Sequence, residues 1–99
     1  MQAKIKYGFS AKLWKDSSAG GWFFVSLPKD ISKEIREHLK WQEGGWGRMK
    51  VSARIEKIEW ETAIWYDTKM NTYLLPIKAD IRKKTNVKLN EIIAVRISV

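Results

Sequence analysis

Enzymatic chemistry needs a positioned nucleophile, an acid–base pair or a metal, and this 99-residue chain offers few side chains able to supply one. Its single histidine, His38, has an intrinsic pKa suited to proton transfer. It flanks an apolar stripe at helical spacing with no partner close in sequence, so it reads as an ordinary interfacial histidine. Glu59 and Glu61 fall on one face of an alternating run and imitate a carboxylate pair. Arg54 and Lys50 on the preceding run make a cross-strand charge ladder the better account of them. Asp67 and Asp80 lack metal-ligand spacing, and without cysteine no disulfide or thiolate metal site can form. Gly44-Gly45-Trp46-Gly47 has the glycine content of a phosphate cradle but precedes a strand and lacks the Gly-Lys-Ser/Thr ending. The expectation is a protein that is no enzyme and holds no cofactor or metal.

Binding chemistry is better represented. Nineteen Lys and Arg against eleven Asp and Glu give a formal net charge of +8, which favours encounter with nucleic acid or another polyanion. The cations cluster: Lys4, Lys6, Lys12 and Lys15 occur before the first acid, and Lys78, Arg82, Lys83, Lys84 and Lys88 surround only Asp80. That second cluster is the candidate anion or nucleic-acid contact. Six tryptophans are the other signal. Trp22 and Trp60 fall where a core is expected, whereas Trp14, Trp41, Trp46 and Trp65 fall on outer faces or loops, where exposed rings can stack on bases or a flat ligand. Trp46, Trp65 and Tyr73 form the candidate aromatic mouth of a small-molecule site.

These residues need elements to position them. From Lys4 to Trp14 the chain alternates, with Ile5, Tyr7, Phe9, Ala11 and Leu13 on one face, as a half-buried strand does. Gly20-Gly21 turns it back into the apolar run Trp22 to Leu27, closing a hairpin. After Pro28, Ile31, Ile35 and Leu39 recur at spacing four, predicting an amphipathic helix from Lys29 to Lys40. Met49, Val51, Ala53 and Ile55 alternate next, then Ile58, Trp60, Thr62 and Ile64. A two-residue turn at Glu56-Lys57 would set Ile55 against Ile58, Ala53 against Trp60, Val51 against Thr62 and Arg54 against Glu59. Neither turn residue favours positive φ, so a longer loop or a bulge is the alternative. The run from Thr72 to Pro76 repeats the earlier pattern of β-rich run, Leu-Pro and helix: Tyr73 to Ile77 is the strand expected here, and Ala79 to Thr85 a short basic helix. Asn86 stands where a helix end calls for a left-handed residue. Ile93, Val95, Ile97 and Val99 form the last strand face.

Six strands and two short helices in one small domain, without a linker, predict a mainly β, mostly antiparallel barrel or closed sandwich. No stretch approaches the ~18 apolar residues of a membrane span, and no charged-then-apolar leader opens the chain. A soluble, cytoplasmic domain with no membrane partner is the expectation.

The ordered motifs Phe9-Ser10-Ala11-Lys12-Leu13-Trp14, Gly21-Trp22-Phe23-Phe24-Val25-Ser26-Leu27-Pro28, Gly45-Trp46-Gly47-Arg48-Met49-Lys50-Val51 and Thr72-Tyr73-Leu74-Leu75-Pro76-Ile77-Lys78-Ala79-Asp80-Ile81-Arg82-Lys83 resemble a family of small bacterial proteins. That family is known only as a domain of unknown function. The resemblance runs from about Lys4 to Val99 and implies a double-split β-barrel. The family usually shows Gly-Asp before the last strand and Gly after the second helix, where this chain has Asn90-Glu91 and Asn86; Asn can supply the same backbone geometry. A weaker likeness in fold reaches AbrB-type transcriptional regulators, whose strand, Leu-Pro, Arg-bearing helix and final strand are similar to Leu75 to Val99. There two chains complete one barrel. Two Leu-Pro units in one chain look like fused halves with a pseudo-twofold axis, implying a monomer, although past the proline their offsets differ by about two residues. The expected function is an uncharacterised polyanion-binding domain, with a Trp-lined small-molecule barrel or an accessory protein-interaction module as alternatives.

Overall fold

Alternation of apolar and polar side chains generates seven strands in the computed structural model, which describes residues 5–17, 20–40 and 47–99. In chain order they are β1 (Lys6–Lys12), β2 (Trp14–Asp16), β3 (Trp22–Ser26), β4 (Arg48–Ile55), β5 (Ile58–Asp67), β6 (Thr72–Pro76) and β7 (Ile92–Ser98). Two helices interrupt them, α1 (Lys29–Leu39) after β3 and α2 (Ala79–Thr85) after β6. All pairings are antiparallel, in the order β1-β7-β4-β5-β6-β3-β2.

The count exceeds the expected six because the first alternating run breaks at Leu13. Its two halves stand at opposite edges of the sheet, β1 against β7 and β2 against β3. One residue therefore separates the two edges, and the sheet curls back onto itself through its own first strand. Leu13 is fully buried at that bend, its N–H donating to Glu91 O at 2.9 Å and its carbonyl accepting from Asn90 N at 2.8 Å.

The β4–β5 hairpin has the register read from its alternation, with Ile55 opposite Ile58, Ala53 opposite Trp60, Val51 opposite Thr62 and Arg54 opposite Glu59. The two-residue turn survives its unfavourable chemistry because Glu56 takes φ 54° and its carbonyl accepts from Arg54 Nε at 2.7 Å. The asparagines act as expected: Asn86 ends α2 at φ 57°, and Asn90 takes φ 70° before β7.

The inner face collects Leu13, Val25, Leu27, Met49, Val51, Ala53, Ile55, Ile64, Leu75, Ile93, Val95 and Ile97, and the helices close it with Ile35, Leu39 and Ile81. Ser32 of α1 is also completely buried. Its Oγ accepts the Tyr73 N–H at 3.0 Å and donates to Leu27 O at 3.5 Å, tying α1 to the end of the β3–β6 pairing. In that pairing the two Leu-Pro units lie side by side, Val25 facing Leu75, and Leu27 N donates to Tyr73 O.

Three expectations need correction. Trp22 is not in the core but 44% exposed, because Leu27 points inward and strand alternation then sends Val25 and Phe23 inward and Trp22 outward. Tyr73, proposed for a ligand mouth, is fully buried, its ring 5.1 Å from that of Tyr66. His38 is exposed on α1 rather than interfacial. Trp60 is half-buried against the core, while Trp41 and Trp46 lie outside the described residues.

Candidate functional site

Strand alternation places Trp14, Trp22, Phe24 and Trp65 together on the outer face of β2, β3 and β5. Trp14 is the register partner of Phe24, Phe24 that of Pro76, and Trp65 that of both Arg48 and Leu74. Phe24 lies at the centre, with Trp14 at 5.2 Å, Trp65 at 5.8 Å and Trp22 at 6.1 Å between ring centroids. Trp22 and Phe24 are close to parallel, at 13°, and Trp22 meets Trp65 at 5.4 Å. The cluster buries Phe24 while its roof, Trp22, keeps much of its surface in water. Offset and edge-to-face geometries of this kind add to area burial.

The indole N–H groups are treated differently. Trp14 Nε1 donates to Ser26 Oγ at 3.0 Å. Trp65 Nε1 is buried and has no hydrogen-bond partner among the described residues. Arg48 stands over the Trp65 ring, its Cζ 5.6 Å from the centroid.

An open groove of about 830 Å³ runs along this face, lined by Trp22 and Trp65 and by three cations, Arg48, Lys50 and Lys78. A smaller depression of about 240 Å³ continues it past Trp22, Pro76 and Lys78 to Arg82. Lys78 caps the N-terminal end of α2 and is exposed. Arg82 is turned inward: Nη1 donates to Ile77 O at 2.7 Å, and Cζ lies 3.8 Å from the Phe23 centroid. Lys83, Lys84 and Lys88 are exposed but line neither groove, and the Lys88 N–H donates to Glu91 Oε1 at 2.9 Å. The basic cluster read from the sequence thus divides into Lys78, beside the aromatic face, Arg82, held against Phe23, and three outlying lysines.

The carboxylates follow cross-strand logic. Glu59 is paired in register with Arg54, but Glu61 accepts from Ser52 Oγ and not from Lys50, whose register partner is Ala63. Among the described residues no three of His, Cys, Asp and Glu gather as metal ligands, and no helix is long and apolar enough to cross a membrane. The Tyr7 phenol is pushed up to about 12, first by burial and then by the hydrogen bond and negative charge of Glu34 on α1.

The family model for the domain of unknown function DUF1905 matches residues 9–97. The chain belongs to the DUF1905 family. No curated protein matches it. In this DUF1905 domain the sequence pointed to Trp65 and Lys78 and missed Trp22, Arg48 and Lys50. The signal for them was present: Leu-Pro at the end of β3 fixes which residues point inward, and the first cations of the Arg48–Ile55 alternation lie on the same outer face as Trp65.

Proposed function

We propose that this DUF1905 domain is a non-enzymatic module that binds single-stranded nucleic acid on the outer face of β3, β4 and β5. One observation carries the reading: Trp22, exposed and near-parallel to Phe24, shares a groove with Arg48, Lys50 and Lys78. An exposed ring on a rigid aromatic base stacks an unpaired nucleobase, and cations beside it hold the phosphates. Lys83, Lys84 and Lys88 add to the attractive field outside the groove. A flat small ligand is less well served, since Tyr73 is sealed in the core. In this reading the curled sheet is a double-split barrel whose pseudo-twofold axis passes between the antiparallel β3 and β6, each of which leads to a helix. The module then acts as a cytoplasmic monomer.

The test is fluorescence anisotropy of a labelled short oligothymidylate titrated with the protein over a range of salt. Each phosphate contact on a single strand contributes ~ −0.7 to the log–log salt slope, so contacts from Arg48, Lys50 and Lys78 give about −2. Trp22→Ala removes a stacking contact of ~1–3 kcal/mol and weakens binding roughly 5- to 150-fold. Absence of binding at low salt, or binding indifferent to Trp22→Ala, rejects the reading.

A further inference from the structure

β7 is paired along its whole length on one side and along less than half on the other. β1 covers Ile92 to Ser98, but β4 pairs only with Arg96, Ile97 and Ser98 before it turns away at Glu56. Ile5 and Val99 exchange both backbone hydrogen bonds, at 2.8 and 3.2 Å. Antiparallel alternation then directs the odd-numbered residues of β7 to β1 and the even-numbered ones to the opposite side. The N–H and C=O groups of Ile92 and Ala94 consequently face a side where no described strand pairs with them. A cleft of about 750 Å³ adjoins that place, lined by the consecutive residues Glu91 to Arg96 together with Gly8–Ser10 of β1, Arg54–Glu56 and Thr85–Val87.

The outer face of this opening has a definite chemistry. Ile92 is 65% exposed and supplies an apolar contact there. At the other end Arg54 and Arg96 are direct register partners, a like-charge juxtaposition that destabilises a sheet unless something answers it. Arg54 gives its Nε to the Glu56 carbonyl. Arg96 lies across from Gly8 of β1, which has no side chain to contact it. Glu56 and Glu91 also line the cleft, and Glu91 already accepts from the Lys88 N–H.

We propose that the open edge of β7 is a docking site for an extended acidic peptide from another protein, which adds as a short strand beside Ile92–Ala94 in continuation of β4. Edge addition takes its affinity from main-chain bonds and its selectivity from alternate side chains. A peptide residue opposite Ala94 projects on the outer face, one strand step from Arg54 and diagonal to Arg96, so a glutamate or aspartate fits there. The residue two positions away lies against Ile92 and should be apolar. A second copy of the chain is disfavoured as occupant by the net charge of +8 on each.

The probe is a short peptide of β-branched residues with one glutamate two positions from a valine, and amide hydrogen exchange followed by NMR is the readout. In the free protein, the Ile92 and Ala94 amides should exchange fast while Ile93 and Val95 stay protected, and saturating peptide should slow Ile92 and Ala94. A lysine-for-glutamate peptide should bind roughly ten-fold more weakly, Arg96→Glu should reverse that preference, and Trp22→Ala should leave peptide binding unchanged. The proposal is overturned if Ile92 and Ala94 are already as protected as their neighbours, if the peptide does not slow them, or if the two peptides bind alike. It is equally overturned if protection rises with protein concentration alone, the mark of a second copy.

Discussion

Replacing Ser32 with alanine removes a buried side-chain acceptor that α1 presents to β6. The Oγ accepts the Tyr73 N–H at 3.0 Å in a site where both residues are completely buried. Its own donation to Leu27 O, at 3.5 Å, is long enough to add little. Alanine leaves the Tyr73 N–H without this partner where water cannot reach it, a cost of ~1–3 kcal/mol. Better helix propensity returns a few tenths of that, so the net loss is about 1–2 kcal/mol. For a domain of this size each kcal/mol lowers the midpoint by roughly 4–8 °C, predicting a fall of about 5–15 °C. Urea unfolding followed by tryptophan fluorescence should show a lower midpoint at unchanged slope, and the Tyr73 amide should lose exchange protection before its neighbours. A loss below about 0.5 kcal/mol would refute the view that this hydrogen bond fastens α1.

Three further outcomes follow from particular contacts. Because the folded-state pKa of Tyr7 is raised from 10.0 to about 12, the native protein keeps a proton that the unfolded chain releases. Its contribution is therefore intact below pH 10 and lost as pH rises through 12, and Tyr7→Phe should flatten that part of the stability–pH curve relative to wild type. Glu56→Gly relieves a left-handed residue worth ~1–2 kcal/mol and loses ~0.5–1 through unfolded-chain entropy, so thermal unfolding should show no change or a gain of up to about 1.5 kcal/mol. Lys78→Ala should weaken oligonucleotide binding and reduce the salt slope by about 0.7, whereas Lys84→Ala, outside the groove, should change affinity only at low salt; equal effects would show that location in the groove does not matter.

Local rules carried most of the fold. The β4–β5 register follows from which partners bring Ile55, Ala53 and Val51 onto the same side as Ile58, Trp60 and Thr62, since a one-residue slip would expose all of them. Asn86 was readable at the helix end because few residue types tolerate positive φ, whereas Asn90 came through the glycine that the resembled family usually has there. What escaped needed more than alternation, a nearby anchor for Trp22 and non-local contacts for Tyr73 and Tyr7. An apolar run such as Trp22 to Ser26 has no polar alternation to show which side is inward, so Trp22 and Phe23 were interchangeable until the Leu27 anchor decided. Tyr73 has an amphipathic side chain, and its burial involves partners remote in sequence, among them Ser32 of α1, which accepts its N–H. The Tyr7–Glu34 contact joins β1 to a helix across 26 intervening positions, a pairing that no local spacing encodes.

Both proposed surfaces have one topological origin, the short seam between β4 and β7. Only three residue pairs join these strands, and the strands diverge on either side of the seam. Beyond Arg54 the chain turns into its hairpin and leaves Ile92 and Ala94 with no described strand beside them on the β4 side. In the other direction β4 runs past Ser98 to Arg48, and the face it shares with β5 there meets the aromatic cluster and Lys78 in the larger groove. A longer seam would extend pairing along β7 and fill the edge cleft with main chain. The sheet thus gives up ladder hydrogen bonds, each worth ~1 kcal/mol net, at the places where it presents unpaired backbone or exposed cations. Stability alone would favour extending the pairing, and a binding role gives the shortened seam a physical reason.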